Sequence, residues 1–73
     1  MSFGAQGDPA SPVGRVGQVL TAIPGGTSPG EVRLAIRGGT ELFLAYCDSP
    51  VDRGAAVLVV EDLGGRAVRV FPD

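Results

Sequence analysis

Glu31–Cys47 reads EVRLAIRGGTELFLAYC, and its first half decides the fold. Val32, Leu34 and Ile36 alternate with Glu31, Arg33, Ala35 and Arg37. A period of two is the signature of a strand with one buried and one wet face. Gly38-Gly39 follows as a hairpin turn, because paired glycines supply the positive φ that tight β-turns need. Glu41–Cys47 (ELFLAYC) then reads as the returning strand. Both of its faces are apolar, so alternation alone does not orient it. A register slip of one residue would reverse every side chain.

Outward from this hairpin the same pattern recurs. Upstream, VGRVGQVLTAI (residues 13–23) carries apolar residues interrupted by Gly14 and Gly17, which in a strand mark a bend or bulge. Pro24–Gly30 is a loop by composition. Downstream, Pro50–Glu61 (PVDRGAAVLVVE) is a turn centred on Asp52-Arg53-Gly54 feeding an apolar strand. Leu63-Gly64-Gly65 reads as a second hairpin turn before RAVRVF. The expectation is five strands near 13–23, 31–37, 41–48, 56–62 and 66–71. Val19, Val32, Leu34, Ile36, Phe43, Ala45, Val57, Val59, Val68 and Val70 are placed inward. The 48–55 gap is too short for a helix of several turns. The fold class is therefore all-β, a small barrel or sandwich.

The chain has 73 residues, enough for one small domain with a thin core. Residues 1–12 (MSFGAQGDPASP) mix Gly, Pro, Ser and Asp with one Phe and read as a linker or tail, with the domain over 13–73. They have neither the basic end nor the apolar core of a secretory signal. The longest apolar run, Ala55–Val60, is far below the ~18 residues of a membrane span.

Composition excludes most chemistry. All six basic residues are Arg, and there is no His and no Lys. Without Lys, the hairpin at Pro50–Glu61 cannot be a biotin or lipoate carrier, because both attach to a Lys amine. Without His or Lys, Ser2, Ser11, Thr21, Thr27, Ser28, Thr40 and Ser49 have no base to activate them. The single Cys47 excludes an internal disulfide and a CxxC metal site, and reads as a small buried hydrophobe. Asp48 and Asp52 are read as closing their turn by bonding backbone amides. Glu61 and Asp62, adjacent on a strand, point to opposite faces and do not share a ligand. The Gly25–Gly30 loop has neither the Lys nor the helix of a phosphate-binding loop. No catalytic residue, cofactor or metal site is expected. Five-stranded barrels often bind single-stranded nucleic acid, but that needs a basic groove and stacking aromatics. The net charge here is −2, and the aromatics are only Phe3, Phe43, Tyr46 and Phe71.

The spacing as a whole carries a resemblance. Gly14-x-x-Gly17-x-Val19-Leu20-Thr21 is followed by Gly30-x-Val32-x-Leu34 and Phe43-x-Ala45. Val51-x-x-Gly54-x-x-Val57-x-Val59-Val60 and Gly65-x-x-Val68-x-Val70 complete the set. Over residues 13–72 or so this resembles the C-terminal soluble domain of the NfeD-like membrane proteins. The resemblance implies a five-stranded, OB-like Greek-key barrel without a substantial helix between strands 3 and 4. It implies a non-enzymatic interaction domain that follows transmembrane helices outside this chain, on the cytoplasmic side. The implied role is docking a stomatin- or flotillin-like membrane scaffold or regulating a membrane-associated protease. Longer family members carry a Ser-Lys protease domain, none of which lies in this chain. The alternative is an oligonucleotide-binding OB module.

A candidate contact surface follows from alternation. With Phe43, Ala45 and Cys47 inward, Leu42, Leu44 and Tyr46 face outward. In OB-like barrels the third strand pairs with the fifth, which sets Arg69 and Phe71 outward near Leu44 and Tyr46. The expectation is one apolar patch of Leu42, Leu44, Tyr46, Arg69 and Phe71, residue types enriched at interfaces.

Overall fold

Five strands close on themselves. In the computed structural model, which describes residues 11–36 and 38–73, they are β1 (Val16–Thr21), β2 (Gly30–Ile36), β3 (Gly39–Tyr46), β4 (Ala56–Gly64) and β5 (Ala67–Pro72). Their order around the barrel is β1-β2-β3-β5-β4, and β4 pairs back onto β1. Only the β3–β5 pair is parallel; the other pairs are antiparallel. This is the OB-type arrangement, and closure leaves no free sheet edge.

Every residue expected inward is buried. The pairing shows why β3 takes the orientation that its sequence leaves open. Val32 on β2 sits opposite Phe43, and Leu34 sits opposite Glu41. The unambiguous face of β2 thus aligns β3 with Phe43 and Ala45 toward the core. Ile23, Cys47 and Val51 complete the cluster. The segment 47–55 contains no helix. Instead, Val51 forms an isolated bridge to Ile23. The Asp52 carbonyl accepts Ala55 N–H (3.2 Å), and Gly54 at φ +94° turns the chain. Gly54 N–H then donates to the Val19 carbonyl at 2.8 Å, which ties the turn to β1.

Several local expectations shift. The first strand is shorter than 13–23, because Gly14 at φ +87° turns before it and a register irregularity lies between Val19 and Thr21. Gly17 does not bulge. A Cβ there would meet the Leu34 side chain and lie 2.9 Å from the Arg33 carbonyl, so this glycine allows β1 and β2 to approach. Both hairpin turns are displaced by one residue. Ile36 pairs with Gly39, so Gly39 belongs to β3 and the first turn comes before it, at Gly38 with φ +78°. Gly64 pairs with Ala67, so Gly65 and Arg66 make the second, both near φ +60°. The Pro24–Gly30 loop carries its own bridge between Gly25 and Ser28. Residues 1–10 of the expected linker, including Phe3, and the expected strand residue Arg37 lie outside the described residues.

Candidate functional site

The outward side chains of β3 and β5 build the candidate surface. Leu42 and Leu44 are 51% and 43% exposed, Phe71 is 51% exposed, and Tyr46 and Arg69 are half-buried. The parallel register sets Leu44 beside Ala67 and Tyr46 beside Arg69. Leu42, Leu44, Tyr46 and Arg69 therefore share one strip. Phe71 does not join it directly. It lies beyond the last parallel pair and sits opposite Leu58 on β4, which in turn sits opposite Val16 on β1. The surface thus has two apolar parts with Arg69 between them.

Arg69 is anchored from the other side. Its guanidinium lies 3.3 Å from the Glu61 carboxylate on β4 and 3.7 Å from Asp48 after β3. Asp48 thus pairs with Arg69 instead of serving the turn, and at Asp52 the main-chain carbonyl closes it. Asp62 is the carboxylate that bonds an amide, accepting Gly64 N–H at 2.9 Å. Arg66 lies 3.5 Å from Glu41.

Val16 (53% exposed) and the half-buried Leu58 were not legible as surface partners of Phe71. Leu58 lies between the inward Val57 and Val59, so alternation marks it outward. Joining it to Val16 and Phe71 requires the β1–β4–β5 register.

Chemically the surface is quiet. Among the described residues no polar or charged side chain is buried. Nor does any group of three or more His, Cys, Asp or Glu come together there as a metal site. Cys47 is a buried free thiol. Thr21 donates its hydroxyl to Glu31 Oε1 at 2.9 Å on the wet face. An open depression lies over β1 and β2, lined by Val16, Gln18, Arg33, Ala35, Thr40 and Ala56. No aromatic lines it, and Arg33 Nη2 donates to Gln18 Oε1 at 2.7 Å.

A closed OB-type barrel with exposed hydrophobic side chains on its strand faces and no helix among the described residues is an architecture that small binding modules use. The chain belongs to the NfeD C-terminal domain family, whose model matches residues 16–71. Solved structures agree. The soluble domain of the NfeD protein YuaF from Bacillus subtilis is 34% identical with a TM-score of 0.67, over 81% of this chain and 70% of that one. The C-terminal domain of stomatin operon partner protein 1510-C from Pyrococcus horikoshii is 26% identical with a TM-score of 0.63, over 84% of this chain and 86% of that one. The soluble domain of a Corynebacterium glutamicum membrane protein implicated in regulation of membrane protease activity shares the fold. It is 24% identical with a TM-score of 0.58, over 85% of this chain and 97% of that one. No curated protein sequence matches the chain.

Proposed function

We propose that this barrel is a non-catalytic interaction domain of a membrane-anchored NfeD protein, docking a stomatin- or flotillin-type scaffold or regulating a membrane protease. In this reading residues 13–73 are the docking module and 1–12 the linker to the anchor, on the cytoplasmic side. The observation that carries it is the outward strip of Leu42, Leu44, Tyr46 and Arg69, continued past Arg69 by Phe71, on a barrel of this family. Aromatic and Arg side chains among exposed aliphatics are the composition from which protein contacts are built. The Pyrococcus relative, a stomatin operon partner protein by name, supports the choice of scaffold.

The test is capture of a stomatin-type scaffold by the wild-type chain and by Leu44→Ser with Tyr46→Ser. Retained melting temperature with lost capture is the expected result. Unchanged capture contradicts the surface assignment.

The oligonucleotide reading finds less support. Arg66 and Arg69 face carboxylates, and Phe43 is in the core. Titration with labelled single-stranded DNA and RNA at low salt is expected to show no micromolar binding. Such binding, with a steep salt dependence, would favour the nucleic-acid role.

A further inference from the structure

Two leucines on one strand face lie bare because their charged neighbours are held away. On one side of Leu42 and Leu44 is β2, where Arg33 sits opposite Leu42 and Glu31 opposite Leu44. Both of these side chains bond toward β1, Arg33 to Gln18 and Glu31 to Thr21. On the other side Leu44 meets the short Ala67, and Arg69 is drawn off to Glu61 and Asp48. Among the described residues the two leucines remain 51% and 43% exposed.

The charge order on β2 has a symmetry. Take a two-fold axis lying against the sheet, perpendicular to the strands, above the Val32–Phe43 pair. It brings β3 of one copy antiparallel over β3 of another. Leu42 then faces Leu44 of the second copy, and Leu44 faces Leu42. The same operation brings Arg33 over Glu31 and Glu31 over Arg33. Thr40 comes to face Tyr46. The strip is therefore self-complementary in both shape class and charge, which is what an isologous contact requires.

We propose that the outward face of β2 and β3 is a two-fold self-association surface whose occupant is a second copy of this chain. Leu42 and Leu44 form its centre, and two symmetry-related Arg33–Glu31 pairs flank it. This stands independently of scaffold docking, since its test contains no other protein. A convex barrel offers less than the ~800 Å² per partner of a standard stable interface. The association is accordingly weak, with Kd on the order of 100 μM. Copies concentrated on one membrane would meet far more often than free ones.

The experiment is sedimentation equilibrium of the 73-residue chain from roughly 20 μM to roughly 2 mM, a range that brackets the expected Kd. Amide-shift changes are followed over the same range. A monomer–dimer equilibrium with shifts confined to β2 and β3 is expected, and Leu44→Ser is expected to weaken it at least ~10-fold. The charge order supplies a second arm. Glu31→Arg brings the net charge from −2 to zero, which by overall repulsion alone would strengthen association, yet it sets like charges face to face and is expected to weaken it. Arg33→Glu is expected to weaken it too. An equimolar mixture of these two variants, and the double exchange in one chain, are expected to restore it. A monomer throughout the range overturns the proposal. So do shifts centred on Val16, Leu58 and Phe71, or stronger dimerisation by Glu31→Arg alone.

Discussion

Ile23 and Val51 exchange both of their main-chain hydrogen bonds, each 2.9 Å long, although neither residue belongs to a strand of the barrel. The pair joins the loop after β1 to the loop after β3. It also carries two buried side chains into the core, Ile23 at 1% and Val51 at 6% exposure. The segment between the third and fourth strands has no helix, and these two residues of opposed loops contribute buried apolar surface there.

Ile23→Ala is therefore expected to cost about 2–5 kcal/mol, the range for a buried aliphatic truncated to Ala. Denaturant melts check the size. Hydrogen exchange supplies a finer test, because the Ile23 and Val51 amides are expected to be protected as well as those of the strands. Rapid exchange at both would show that the bridge opens in solution.

Val59→Asp is expected to unfold the domain. Val59 is 1% exposed and pairs with the fully buried Val70 across β4–β5. An unpaired buried charge costs several kcal/mol, and a domain of this size has only about 5 kcal/mol to lose. Loss of dispersed amide shifts is the expected readout. A folded variant would require another register for β4.

Two glycines give opposite expectations for the same change. At Gly30 a Cβ would meet the Thr21 carbonyl and lie 2.7 Å from the Ala22 carbonyl, under the irregular end of β1. Main-chain atoms cannot yield cheaply, so Gly30→Ala is expected to cost about 1–3 kcal/mol. At Gly39 the same Cβ meets open space and φ is not positive. Gly39→Ala is expected to be neutral or to stabilise by up to about 1 kcal/mol, through a less flexible unfolded chain. Melting temperatures decide both.

The β4–β5 turn uses Gly65 and Arg66 where two positive φ values are required, 59° and 60°. Arg is a poor occupant of that region, and Asn-Gly is the favoured pair for such a turn. Replacing Gly65 by Asn and Arg66 by Gly is expected to stabilise by about 1 kcal/mol, which raises the melting temperature by about 4–8 °C in a domain this small. The exposed Arg66–Glu41 pair lost in the exchange, at 3.5 Å, contributes less. A lower melting temperature would contradict the turn geometry.

How much of this was readable follows from where periodicity is unambiguous. β2 could be oriented from Val32, Leu34 and Ile36 alone, and it then orients β3 through the Val32–Phe43 pair. The two hairpin turns were placed one residue off because adjacent glycines look alike in sequence, and only strand pairing decides which positions turn. The outward facing of Leu42, Leu44, Tyr46 and Arg69 followed from alternation. The position of Phe71 did not, because alternation carries no information about how far two parallel strands slide. The Tyr46–Arg69 pair sets that slide and sends Phe71 toward Leu58 and Val16. The ion pairs that hold Arg69 away from Leu44 come from β4 and from Asp48, whose proximity only the closed barrel creates.

The most direct test of the docking role is an amide-shift titration of the isotope-labelled chain with a purified stomatin-type scaffold. It is run at a chain concentration below the self-association range. Saturable changes centred on Leu42, Leu44, Tyr46, Arg69 and Phe71, with the Ile23–Val51 end of the barrel unaffected, are the predicted result. No change at saturating scaffold, or changes centred on Gln18, Ala35 and Thr40 in the depression instead, would contradict it.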